Sequence, residues 1–88
     1  MRYMVIERFK DAPGIYRRFA EKGRMMPDGL KYVESWIAAD MTTCYQLMEA
    51  DEIALFARWT KNWEDLVDFE IIPVISSAEA RSRALSLT

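Results

Sequence analysis

The order of local patterns along the chain constrains its fold more than any other feature. Arg2-Tyr-Met-Val-Ile-Glu-Arg-Phe9 is rich in β-branched and aromatic residues, which suit a pleated, partly buried surface, and reads as a strand. Asp11 then offers a helix N-cap ahead of Pro13, which a first helical turn tolerates because its missing N–H would have no helical partner. Ile15 and Phe19 lie four apart on one face and Gly23 suits the position past a helix end, so the spacing predicts a helix from Pro13 to Lys22. After the Pro27-Asp28-Gly29 turn, the residues from Leu30 to Ile37 alternate as a second strand. A short connection around Asp40 and Met41 leads to a third strand, Thr43 to Glu49, in a hairpin. Asp51 reads as a second N-cap, and Leu55, Phe56, Trp59 and Trp63 mark the buried stripe of a helix running to Asn62. Leu66 to Val74 is a fourth strand whose Pro73 points to an edge position or a strand end. The alanine- and serine-rich stretch from Ser76 to Thr88, with Ser77 as a cap, is either a short terminal helix or a tail.

That order, β-α-β-β-α-β, fits a ferredoxin-like α+β plan, an antiparallel four-stranded sheet with both helices on one face. The expected division is one domain over residues 1–78 and a tail or short helix over 79–88. A chain of 88 residues builds only a thin core, yet 51% of the residues are hydrophobic, including three Trp, four Tyr and four Phe. The net charge of −2 argues against a nucleic-acid partner, because phosphate neutralisation calls for a basic excess. With no histidine, Ser/His/Asp and Cys/His catalysis, His-ligated zinc or haem and imidazole acid/base chemistry are excluded. The single cysteine, Cys44, cannot close an intrachain disulfide, so a cytoplasmic location is expected. The apolar stretch Met1 to Ile6 is broken by Arg2 and followed by Glu7, Arg8 and Lys10, so no membrane segment is expected.

Alternation divides each strand into two sets of side chains. One set, Met4, Ile6, Val33, Ile37, Tyr45, Leu47, Val67, Phe69 and Ile71, is nearly all apolar and is expected beneath the helices. The other mixes aromatics with carboxylates: Tyr3, Val5, Glu7, Phe9, Leu30, Tyr32, Glu34, Trp36, Cys44, Gln46, Met48, Leu66, Asp68, Glu70 and Ile72. A second apolar face of this kind marks an interaction surface, and a twofold dimer packed sheet to sheet would cover it and enclose a space lined by the mixed set. The expectation is a homodimeric α+β barrel with its candidate site in the interior.

The segments Met4-Val-Ile-Glu-Arg-Phe9, Tyr32-Val-Glu-Ser-Trp36, Cys44-Tyr-Gln-Leu-Met-Glu49, Trp63 and Asp65-Leu-Val-Asp-Phe-Glu70 carry a resemblance. Over residues 1–78 the chain looks like a bacterial family of proteins of similar length classed as a domain of unknown function. That family is similar in plan to the dimeric α+β-barrel superfamily, which includes cofactor-free monooxygenases, muconolactone-isomerase-like proteins and haem-degrading enzymes. The resemblance implies a homodimer and a small-molecule site. The histidine that ligates haem in the haem-degrading members has no counterpart here.

The candidate ligand-binding residues are Glu7, Tyr32, Glu34, Trp36, Cys44, Gln46, Met48 and Glu70. Glu7, Gln46 and Glu70 are expected as neighbours, since strand 1 lies between strands 3 and 4 in such a sheet. Glu7 is the first choice for a general base, because desolvation or a second carboxylate raises a carboxyl pKa toward neutrality. The structural alternative pairs Glu7 with an arginine across the dimer. Tyr32 and Trp36 are either an aromatic wall for a planar ligand or plain interface core. Cys44 reads as a buried inert thiol more readily than as a nucleophile. A metal held by Glu7, Glu34, Asp68 or Glu70 with Cys44 mixes hard and soft ligands without a spacing signature, and no metal or other cofactor is expected. Met25, Met26 and Met48 also read as packing or loop residues. Lys10, Arg17, Arg18, Lys22 and Arg24 gather around helix 1 while carboxylates dominate the second half, as a solvated helix face or as steering for an anionic ligand.

The leading function is therefore binding, and conversion, of a small hydrophobic or aromatic molecule by a cofactor-free dimer of monooxygenase or isomerase type. The alternative is a non-catalytic homodimeric interaction or regulatory module. A connected cavity of roughly 300 Å³ or more, lined by Glu7, Tyr32, Trp36 and Gln46, separates the two.

Overall fold

A computed structural model describes residues 1–86 as an α+β fold. In chain order the elements are β1 (Arg2–Phe9), α1 (Ala12–Lys22), β2 (Leu30–Ile37), β3 (Thr43–Ala50), α2 (Ala54–Thr60), β4 (Val67–Val74) and α3 (Ser77–Ser86). The strands form one sheet in the order β2-β3-β1-β4, with every neighbouring pair antiparallel. The third helix is an addition to the two-helix plan and takes the helical one of the two forms expected for the alanine- and serine-rich stretch. It has no buried residue, and an Arg83–Glu79 ion pair at 2.8 Å spans one of its turns. Its cap is Ser76, not Ser77: the Ser76 hydroxyl accepts from the Glu79 N–H at 3.1 Å.

Most local signals act as their chemistry dictates. The Asp11 carboxylate accepts from the Gly14 N–H at 3.2 Å and caps α1, with Pro13 inside the first turn. Pro73 sits near the end of the edge strand β4, where its lack of an N–H breaks no central ladder. Asp51 does not cap α2. Ile53 holds the cap position with no side-chain hydrogen bond, and the Asp51 backbone N–H instead donates to the Gly29 carbonyl at 3.0 Å. Gly29 has φ +90, and a Cβ there would lie 3.0 Å from Leu55 and 3.1 Å from the Asp51 carboxylate, so backbone freedom and small size are both required.

Helices α1 and α2 pack on one face of the sheet, but that face differs from the expected one. The buried inner side chains are Tyr3, Val5 and Glu7 of β1, Cys44, Gln46 and Met48 of β3, and Val67 of β4. Tyr3 meets Phe56 of α2 edge-on at 4.9 Å and Trp59 meets Phe69 at 5.4 Å, which ties β1, β4 and α2 into one core. Met4, Ile6, Tyr45 and Leu47, expected under the helices, lie on the outer face. Strands β1 and β3 are apolar on both faces, so alternation alone does not orient them, and the polar Glu7 and Gln46 mark the wetter side only if neither is buried. Val67, Phe69 and Ile71 of β4 lie on the inner face as expected.

A register shift in β2 between Tyr32 and Glu34 splits its candidates. Leu30 and Tyr32 face the helices. Beyond the inserted residue Val33 the phase inverts, so Glu34 and Trp36 pair with Leu47 and Tyr45 on the outer face while Ser35 and Ile37 turn inward. The Tyr32 hydroxyl and Ser35 Oγ, 2.8 Å apart, meet across this bulge on the inner side.

The uneven charges become ion pairs between the halves of the chain. Arg18 of α1 grips Asp65 with two bonds of 2.8 and 2.7 Å and also donates to the Asn62 carbonyl, which holds the Asp65 carboxyl below the usual range. Lys10 meets Asp68 at 3.4 Å, Arg8 meets Glu70 at 3.2 Å and Arg2 meets Glu49 at 3.1 Å. These pairs are exposed, so their role is in aligning elements more than in stability.

Candidate functional site

Between the inner sheet face and the helices lies a pocket of about 180 Å³. The β-strands supply Glu7, Phe9, Ser35, Ile37, Cys44 and Gln46, α1 supplies Ile15, Tyr16 and Phe19, and Trp59, Trp63 and Arg24 complete the wall. An apolar cavity of about 150 Å³ holds benzene, so this space takes one ring and a substituent. It is smaller than the 300 Å³ expected of a barrel interior, and it sits within one chain instead of between two sheets.

Glu7 is the chemical centre of the pocket. It is 9% exposed, and its Oε2 is buried without a hydrogen-bonding partner among the described residues. Burial drives its pKa from 4.5 up to about 7, against an opposing pull from the Arg24 guanidinium. Near neutrality the group is therefore divided between acid and carboxylate, and each form has an unmet hydrogen-bonding capacity. Across the ladder Glu7 stands opposite Cys44 on β3 and Phe69 on β4. Burial and the neighbouring Glu7 push the Cys44 thiol up to about 12, so it stays protonated and is no nucleophile. Iodoacetamide at neutral pH is expected to label Cys44 more slowly than a free thiol; labelling at or above the free-thiol rate would contradict this environment.

The structure brings together some of the expected site residues and separates others. Glu7, Cys44 and Gln46 share the pocket, Tyr32 adjoins it through Arg24, and Met48 lies deeper, where its sulfur accepts from the Gln46 amide at 3.2 Å. Glu34, Trp36 and Glu70 are on the outer face. Glu70 is paired with Arg8 and aligned with Ile6, so it is not a neighbour of Glu7. Tyr32 and Trp36 therefore form no common wall, and Glu7 cannot reach an arginine across a dimer made by the outer face. The ligand set imagined for a metal is likewise divided between faces, and among the described residues no three His, Cys, Asp or Glu side chains gather.

Sequence reasoning did not single out Arg24 as a site residue. It follows α1 in a turn where Gly23 and Met25 both have positive φ, 66 and 56. The indole N–H groups of Trp59 and Trp63 both donate to its carbonyl, at 2.9 and 3.0 Å. Its guanidinium lies 3.7 Å from the Tyr32 ring centroid and 5.0 Å from that of Phe19. The two indoles, read from spacing as core, are core and anchor together.

These features define a small α+β protein with one buried, unpartnered carboxyl in a pocket between its sheet and helices. The chain belongs to a family described as a domain of unknown function, DUF3303, whose model matches residues 1–87 and so includes all of α3, beyond the residues 1–78 over which the resemblance was expected. No curated protein and no solved structure matches it significantly. Among the described residues no helix is long and apolar enough to cross a membrane.

Proposed function

We propose that this protein binds a small hydrophobic or aromatic molecule in the pocket between the sheet and its first two helices, with Glu7 exchanging a hydrogen bond or a proton with the ligand. The observation that carries this reading is the buried, unpartnered Oε2 of Glu7 in an otherwise largely apolar pocket. An unmet buried polar atom costs stability, and such costs persist where they serve a site. A carboxyl with a pKa of about 7 accepts and returns a proton at neutral pH, as cofactor-free chemistry of isomerase or monooxygenase type requires. Neither a metal nor an organic cofactor enters this reading, and the cytoplasm is its proposed setting.

The proposed assembly is a homodimer of ferredoxin-like subunits joined through the outer sheet face. That face exposes Trp36 at 54%, Tyr45 at 42% and Ile72 at 37%, beside half-buried Met4, Ile6 and Leu47. Its charges are largely neutralised within the chain by the Arg2–Glu49 and Arg8–Glu70 pairs, and Lys31 and Glu34 remain as opposite charges that a twofold copy can match. This surface also favours the second reading, a non-catalytic homodimeric module, in which the pocket stays empty.

A thermal-shift screen of single-ring aromatic metabolites separates the two. The ligand reading expects a concentration-dependent rise in Tm for wild type that is lost in Glu7→Gln, a variant that stays folded and dimeric. A Tm unmoved by every compound, or a rise equal in both proteins, contradicts it.

A further inference from the structure

Arg24 is the cation of the pocket wall. Arg2, Arg8 and Arg18 are each committed to a carboxylate, whereas no carboxylate and no carbonyl among the described residues accepts a hydrogen bond from the Arg24 guanidinium, which stands in the pocket wall. Its position is nonetheless built with care. Two buried indoles hold its carbonyl, a turn with two positive φ angles brackets it, and the Tyr32 and Phe19 rings flank its side chain. Aromatic faces support a guanidinium without consuming its in-plane N–H donors, so those donors stay available at the pocket wall.

From this placement, and resting on the ligand-binding reading of the pocket, we infer that the occupant is a small monoanion, a single-ring carboxylate whose charge meets Arg24 while its ring fills the apolar space toward Glu7. A guanidinium offers a carboxylate two parallel N–H donors, a planar match that a neutral amide cannot make. Glu7 in its acid form can donate to a second oxygen of the ligand, and it is the one carboxyl in the wall; the other polar groups there are the Tyr16 and Ser35 hydroxyls, the Cys44 thiol and the Gln46 amide. A dicarboxylate would place a second negative charge beside Glu7, so one charge is the natural limit.

The test compares benzoate with its neutral isostere benzamide. Binding is followed through the indole N–H resonances of Trp59 and Trp63 in nitrogen-labelled protein slightly below neutral pH. Wild type is expected to bind benzoate about tenfold more tightly than benzamide. Arg24→Gln should abolish the preference, with benzoate binding no more tightly than benzamide, and Arg24→Lys should restore part of it. The anchoring contacts use the backbone carbonyl, so both variants are expected to fold, and the wild-type comparison stands without them. Benzamide binding as tightly as benzoate, or a preference that survives in Arg24→Gln, overturns the anion assignment and leaves the pocket as a ligand site. Indole resonances that move with neither probe at millimolar concentration overturn both.

Discussion

Replacing Glu7 with Gln is expected to make the protein more stable at about pH 8, by about 3 kcal/mol, and to leave it nearly unchanged below about pH 4.5. The unfolded chain titrates Glu7 near 4.5 and the folded protein near 7, because burial opposes the charged form. A group whose folded pKa is raised contributes its full stability while both states are protonated. That contribution is lost as pH rises from the unfolded pKa through the folded one. In wild type, urea unfolding should therefore show stability falling between about pH 4.5 and pH 7 and levelling above it. The Gln side chain carries no charge and should flatten that segment. In the proposed function that penalty at physiological pH is carried for the sake of the ligand. A Gln variant less stable than wild type at about pH 8 would instead make Glu7 a structural group.

A second large effect separates the two faces of β1. Val5 is fully buried beneath the helices, and Ile6 is half-buried on the outer face. Val5→Asp forfeits about 1.5–3 kcal/mol of apolar burial and adds several more for an unpaired buried carboxylate, a sum near the whole stability of so small a domain. It should fail to fold, with loss of the near-ultraviolet dichroism of the tryptophans. Ile6→Asp should keep the native dichroism and, on light scattering, run as a monomer, whereas wild type is expected to run as the proposed dimer. A folded Val5→Asp beside an unfolded Ile6→Asp would mean that the faces are the other way round. A wild type that is monomeric at micromolar concentration would remove the outer face as a self-interface.

These two residues also show what could be read from the sequence. Strand and helix positions were legible because β-branched runs, the Asp11 cap and the Phe56-Trp59 stripe each act over a few residues. Face assignment in β1 was not, since Met4 and Ile6 are as apolar as Tyr3 and Val5, and the choice is made by what α2 brings across the sheet. The bulge at Val33 is equally silent in Tyr32-Val-Glu-Ser-Trp36, although it sends Trp36 away from Tyr32. Glu7 was legible as the candidate base, and of the two causes expected to raise its pKa, desolvation and a second carboxylate, only the first operates. No second carboxylate lies beside it; its pKa rises by desolvation under the helices. Arg24 was hidden among neighbouring basic residues, and only its two indole donors and two flanking rings distinguish it.

The most direct measurement is an NMR titration of the Glu7 side-chain carboxyl in carbon-labelled protein. The midpoint is expected near 7 in the free protein, with a further shift when the pocket is occupied. A midpoint near 4.5 that no ligand moves would mean that the carboxylate is solvated, and would contradict a buried proton-exchanging site between sheet and helices.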